Sequence, residues 1–342
     1  MSILGLTVIF LSGLIGGLAP LPLKFMRRYD YEHWGLIVCL VGYLAIPWAA
    51  VFAVCPDTLG ALRDIPAHDF LLGNLFSMAW GVANVLYFLC LMRIGFSLGQ
   101  SILTGVAIPA GVVIPMVLKA SGKFADSPGP LSPSGLVILA GVVLMLAGVV
   151  LISKAGFGRE AAQGDARKNR DGGFLAGLVM SVVAGVLSVG ISFSFVYTQD
   201  SIGAAFIAHG AGRDAAPTAV RAVTLLGGAF VNLAYPVWLL CKNRSWGRFS
   251  GPGSLRDFAL SLPIGAVTIA SFAMGSTGMV LLGALGASVG FGINQAMQIA
   301  ASQAVGYFSG EWRGVPRRYT RTMGVAVALL LAAVAIIAAA RC

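Results

Sequence analysis

The chain has 342 residues, of which 58% are hydrophobic and only 11% charged, with a mean hydropathy of +0.87. Soluble domains carry roughly 25% charged residues, and a soluble protein of this size could not cover so much apolar surface. Soluble, disordered and disulfide-scaffold classes are thereby excluded. The net charge of +10 does not point to nucleic acid in such a chain, because Lys and Arg gather on cytoplasmic loops and against anionic lipid.

Apolar runs of about 20 residues cross a hydrocarbon core of roughly 30 Å as helices, so the fold class is an all-α polytopic membrane protein. In chain order the predicted spans are 3–25, 34–54, 69–92, 97–118, 134–153, 173–197, 217–241, 257–280, 285–309 and 320–340, ten transmembrane helices in all. Pro20 and Pro22 fall late in the first span, where they break the helix or kink its end. The N-terminus lacks the basic region of a cleaved signal, so the first span is expected to stay. The five cysteines, Cys39, Cys55, Cys90, Cys241 and Cys342, form no CxxC pair and read as small buried hydrophobes.

Charge fixes the expected orientation. The connections after spans 1, 3, 5, 7 and 9 hold 17 of the 23 basic residues, and the other side holds Arg63, Lys119, Lys123, Arg213, Arg221 and Arg341. Basic loops stay inside, so both termini face outside and the polar stretch 154–172 lies in the cytoplasm. That stretch divides the chain into 1–155 and 173–342, joined by a cytoplasmic linker at 156–172. Five spans per half run through the membrane in opposite senses. Residues 94–99 (Ile-Gly-Phe-Ser-Leu-Gly) and 285–290 (Leu-Gly-Ala-Ser-Val-Gly) repeat one pattern at the same place in each half. Two inverted five-helix repeats put a substrate site near the midplane and permit alternating access.

The stretch Pro22-Leu-Lys24, with Arg27 to Glu32 and Pro47-Trp48, resembles the L-rhamnose–proton symporter family of the drug/metabolite transporter superfamily. Trp80-Gly-x-x-Asn84-x-x-Tyr87, Gly95-x-Ser97-x-Gly99 with Gly105, and Glu311-Trp312 with Arg317-Arg318 carry the same likeness. The resemblance covers nearly the whole chain. It implies ten spans, a deoxyhexose such as L-rhamnose as cargo, a proton as the coupled ion, no cofactor, and a bacterial inner (plasma) membrane location. One region departs from the family: spans eight and nine are small and amide-rich here, with Ser271 to Thr277, then Asn294, Gln295, Gln298, Ser302 and Gln303.

Polar side chains within spans need partners in hydrocarbon, so they are the informative ones. Gln295, Gln298 and Ser302 at i, i+3, i+7 share a helix face, with Asn294 one turn before Gln298. Amides both donate and accept, which suits a polyol; the same amides also suit hydrogen bonds between helices. Trp80, Asn84 and Tyr87 at i, i+4, i+7 share another face, where an aromatic plane can pack on a sugar while Asn84 bonds a hydroxyl. Gln100 with Ser101 and Thr104, and Ser188 with Ser192, are weaker candidates, since Ser and Thr often bond their own helix.

Coupling needs an ionisable group that reaches both sides in turn. Every acid falls at a span end or in a loop. Glu32 matches the family motif and opens the second span, with His33 beside it; Lys24 pairs with it or snorkels to the interface. No metal site is expected, and His33, His68 and His209 fall near span ends. HExxH and phosphate-binding loops are missing, so the chain does not read as an enzyme. The leading expectation is a sugar–proton symporter. The alternatives are an exporter or facilitator of another small polar metabolite, or a receptor or scaffold that transports nothing.

Overall fold

The computed structural model describes residues 2–94, 96–117, 128–162, 173–283, 286–310 and 312–339. Among these there is no strand. The helices are α1 (Ile3–Leu18), α2 (Tyr31–Val38), α3 (Ile46–Val54), α4 (Thr58–Asp64), α5 (Ala67–Ile94), α6 (Phe96–Val117), α7 (Pro133–Ala162), α8 (Gly173–Ser188), α9 (Gly190–Ala208), α10 (Ala216–Asn243), α11 (Ser254–Leu282), α12 (Phe291–Phe308) and α13 (Arg317–Ala339). Among the described residues eight helical segments are long and apolar enough to cross a membrane, and a shorter apolar one covers Ile102–Val117. The helix α12 is not among the eight: Asn294, Gln295, Gln298 and Gln303 interrupt its apolar run. Leu75, Val143 and Phe230 are exposed on the bundle's outside, as a lipid-facing surface allows.

Prolines and glycines explain the breaks. Pro20 and Pro22 lack the N–H that a helix needs, so α1 stops at Leu18 and a 3-10 turn, Leu21–Phe25, follows. Between α2 and α3 the segment Cys39–Ala45 widens into a π-helix, an irregularity common at functional sites. It carries Tyr43 and brings Gly42 onto Gly265, where a Cβ on Gly42 would sit 2.7 Å from the Gly265 carbonyl oxygen. The sixth predicted span, 173–197, is longer than expected: α8 and α9 meet at Val189 and continue to Ala208. The extension holds because Ile202, Ala205 and Phe206 bury against Ala61, Val220 and Val223, although Gln199 and Asp200 interrupt the apolar run there. Helix α7 likewise runs to Ala162, so the start of the predicted linker is helical; 163–172 lie outside the described residues. Cys39, Cys55 and Cys90 are buried, but Cys241 is exposed, which corrects its reading as a buried hydrophobe.

The packing follows a pattern. Helix α1 packs on α11 and α12, while α8 packs on α5 and α6; α10 packs on α2 and α5; α11 packs on α2 and the π-segment; α7 packs on α6 and α13, and α13 on α12. Small residues permit these approaches. A Cβ on Gly13 would lie 2.6 Å from the Asn294 carbonyl oxygen, and one on Gly185 would lie 2.7 Å from that of Leu103. The largest apolar core joins α6, α7, α12 and α13 through Ile108, Met116, Ile138, Met145, Ile293 and Leu330. A second core around Phe195, Phe206, Val51 and Val220 fills the bundle beside α4.

Candidate functional site: a polar cavity between the two halves of the sequence

A cavity of about 320 Å³ opens among α1, α2, α5, α9, α10, α11 and α12. It is at the lower end of the range for small-molecule sites. Trp80, Asn84, Tyr87, Ser192, Asn294, Gln295 and Gln298 all line it. The side chain of Gln100, the remaining predicted binding residue, lies outside what is described.

One wall is an amide and hydroxyl network. Asn294 Nδ2 donates to Ser12 Oγ at 2.7 Å, and Gln298 Nε2 donates to Asn294 Oδ1 at 2.8 Å. Ser12 Oγ donates to the Ser271 carbonyl at 2.8 Å, and Ser271 Oγ donates to the Ser12 carbonyl at 2.9 Å. Three helices, α1, α11 and α12, are tied by these bonds. Asn294 is therefore engaged in the interhelical role that its sequence also allowed. Gln295, next to it and lining the same cavity, makes no hydrogen bond among the described residues, so its whole amide is open to a solute. Ser12 was invisible in the sequence reading because a lone serine in a glycine-rich helix carries little signal.

The facing wall is aromatic. Trp80 is 7% exposed and meets Tyr43 and Phe272 edge-on, with ring centroids 5.4 and 5.6 Å apart. Asn84 Nδ2 donates to Asn232 Oδ1 at 3.3 Å, and Asn232 Nδ2 donates to the Gly228 carbonyl at 2.8 Å. The Asn84 side-chain oxygen, Oδ1, is left for another donor. Asn232 and Tyr43 were not singled out in the sequence; an amide inside the seventh span was the available signal for Asn232.

Arg221 corrects the sequence reading outright. It had been counted among the basic residues of the outer side, yet it lies inside α10, 4% exposed, and lines the cavity. Its Nε and Nη2 donate to Ser276 Oγ at 3.0 and 2.8 Å, and Nη1 donates to the Ile191 carbonyl at 2.7 Å. The guanidinium also stands 4.9 Å from the Phe195 ring and 6.0 Å from the Phe272 ring. The predicted span 217–241 already contains it, but the basic-residue count places it on the outer side because it falls near the span's start, whereas α10 takes it into the bundle.

Glu32 and Lys24 lie elsewhere. Glu32, 5% exposed, accepts from Asn243 Nδ2 and Ser245 Oγ, both at 3.0 Å, in a separate cleft with Asp30 and Arg248. Lys24 donates to Ser309 Oγ. Asp257 strengthens the same end: its carboxylate accepts the backbone N–H groups of Arg27, Arg28 and Tyr29 at 3.1, 2.6 and 3.0 Å. His33 Nδ1 faces the Asp30 N–H at 3.3 Å and Nε2 faces the Ser245 carbonyl at 3.0 Å, a set that one neutral tautomer satisfies. Asp30, Glu32 and His33 are the one group of metal-capable side chains among the described residues. All three are already engaged by protein neighbours, Asp30 by Arg248.

At the opposite end of α10, His209 Nδ1 meets Asp57 at 2.7 Å and Nε2 meets Asp64 at 2.8 Å. Two carboxylate acceptors favour the imidazolium, so Asp64 and Asp57 raise the His209 pKa above its usual value. The Gly60 N–H and His209 lower that of Asp57. The 55–66 and 209–215 connections are thereby clasped, as 26–32 is clasped to 243–257 at the other end.

Comparison with known proteins adds the family. Residues 3–341 match the family model described as L-rhamnose-proton symport protein. The L-rhamnose-proton symporter of Cronobacter sakazakii (strain ATCC BAA-894) is 28% identical over 246 residues, covering 71% of this chain and 67% of that protein. The L-rhamnose-proton symporter of Yersinia pestis bv. Antiqua (strain Antiqua) is 28% identical over 216 residues, 63% of this chain and 60% of that protein. The match thus spans somewhat under two thirds of the Yersinia relative's length.

Proposed function

This chain belongs to the L-rhamnose-proton symport protein family, and we propose that it is a secondary active transporter carrying a monosaccharide, of the L-rhamnose class, inward with a proton by alternating access. The observation that carries the proposal is the polar cavity itself. Trp80, Asn84 and Tyr87 come from before the 163–172 segment, and Ser192, Asn294, Gln295 and Gln298 from after it. A site shared in this way changes access when one half rocks against the other. In this reading an aromatic plane packs on the sugar's C–H face, and Asn84, Gln295 and Gln298 bond its hydroxyls.

The ten-span, two-repeat architecture belongs to the same proposal, with 1–155 and 173–342 as inverted halves and both termini outside the inner membrane. The helix pairings support it, because they survive exchange of the halves. The first span (α1) meets the eighth and ninth (α11, α12), as the sixth (α8, α9) meets the third and fourth (α5, α6). The seventh (α10) meets the third, as the second meets the eighth. The two clasps follow the same exchange, one at each end.

Proton coupling is assigned to Glu32, with Lys24 nearby in sequence on the same basic face. Glu32 acts at the clasp rather than on the sugar: protonation removes the negative charge that Asn243 and Ser245 stabilise, and frees the start of α2 from the end of α10. A second reading is passage of the solute without a proton, and it is favoured by the cavity's lining, which includes no carboxylate among the described residues. Purified protein in sealed vesicles separates the readings. Symport gives sugar accumulation driven by an imposed pH gradient; facilitated passage gives flux that ignores the gradient; a receptor or scaffold gives no flux at all.

A further inference from the structure

We propose that Arg221 makes this cavity selective for a carboxylate-bearing monosaccharide, a uronic or aldonic acid, over its neutral counterpart. The inference rests on the transport reading of the cavity and changes its preferred solute from the neutral sugar to the corresponding sugar acid.

A guanidinium removed from water is costly unless an anion or a full set of acceptors compensates it. Arg221 has three hydrogen bonds, all to neutral oxygens, Ser276 Oγ twice and the Ile191 carbonyl once. A guanidinium has five N–H donors, so two remain, one on each terminal nitrogen. Phe195 and Phe272 supply ring faces, and no carboxylate among the described residues pairs with it. The charge is held in place from α9 and α11 but not neutralised, and it lines the solute cavity. Its rigid fork of donors matches a carboxylate better than a hydroxyl. Ionisable groups of this kind inside a membrane bundle mark the path of a charged cargo. The rest of the lining does not suit a bare anion: Gln295, Asn84 and Ser192 present amides and a hydroxyl, the partners of a polyol. Together they describe a solute with a carboxylate at one end and hydroxyls along its length.

The test is equilibrium binding to the purified full chain with matched pairs, D-galacturonate against D-galactose and L-rhamnonate against L-rhamnose, each at fixed pH and ionic strength. The wild type is expected to bind each acid roughly 10- to 150-fold more tightly than its neutral partner, the range for a hydrogen bond to a charged group. Arg221→Gln is expected to bring that ratio toward one, and Arg221→Lys to leave an intermediate ratio, because the charge stays while the fork is lost. Equal or weaker binding of both acids by the wild type overturns the proposal, and this arm needs no variant to fold. An unchanged ratio in a folded Arg221→Gln overturns it as well. If the neutral sugars bind and are carried while the acids are not, the transport reading stands and only this inference falls. If neither acid nor neutral sugar binds, the transport reading falls with it.

Discussion

Two charged side chains are almost equally buried in this protein, Glu32 and Arg221, at 5% and 4% exposure, and they do opposite things. Glu32 sits at one end of the bundle, engaged by Asn243 and Ser245. Arg221 lines the polar cavity, held by neutral partners and facing no carboxylate among the described residues. A charge that the protein satisfies serves the joint between elements. A charge that it holds but does not neutralise is available to a visitor. On the proposed function, the comparison separates coupling, at the clasp, from recognition, in the cavity.

The largest effect is expected from Glu32→Gln, which keeps the shape of the protonated, neutral side chain but cannot exchange a proton. Counterflow of labelled solute should persist while gradient-driven accumulation falls to the equilibrium level. Full accumulation by the variant removes Glu32 from coupling. Arg221→Met sharpens the other side. Removing a buried charge that no carboxylate pairs with also removes its desolvation cost, so the melting temperature should hold or rise while solute affinity falls. A steep loss of stability with unchanged affinity makes Arg221 a structural tie between α9, α10 and α11.

The amide wall gives a smaller, split effect. Asn294→Ala breaks one interhelical bond, to Ser12, and one within α12, to Gln298; interhelical hydrogen bonds in membranes average about 0.6 kcal/mol each, so stability should fall by on the order of 1 kcal/mol. Gln295→Ala breaks no hydrogen bond among the described residues and should cost only solute affinity, about 1 kcal/mol or roughly fivefold. Equal loss of stability in both variants erases the distinction between glue and site.

The smallest effect is expected at the exposed His209 clasp, where solvent screens the pairing. The raised His209 pKa contributes stability that is complete below the unfolded value near 6.5 and is lost as pH rises through the folded value. The lowered Asp57 pKa contributes above its unfolded value near 3.9 and is lost as pH falls through the folded one. The melting-temperature difference between wild type and His209→Gln should therefore peak in mildly acidic buffer and shrink toward alkaline pH. A flat difference contradicts the clasp.

Much of this arrangement was legible in advance, and the gaps have physical causes. Apolar runs place the helices, because membrane length and hydrophobic content leave few choices. The i, i+4, i+7 face of Trp80, Asn84 and Tyr87 and the amides of α12 pointed to the residues that line the cavity. What a face pattern cannot reveal is which amide faces a neighbour and which faces space. Asn294 and Gln295 are adjacent and alike in sequence, and only the position of Ser12, 282 residues from Asn294, divides them. Arg221 escaped because the basic-residue count treats a charge near a span end as a loop charge. Glu32's distance from the cavity depends on Asn243 and Ser245, far along the chain.

The central claim is that residues on both sides of the 163–172 segment hold one solute. It is tested most directly by solute protection of introduced thiols, Asn84→Cys and Gln295→Cys, in a chain whose native cysteines are replaced. Both thiols should be shielded from a membrane-permeant alkylating reagent by the same sugar or sugar acid, with the same half-maximal concentration. Protection of one and not the other, or of neither while the solute is still carried, would contradict a shared cavity.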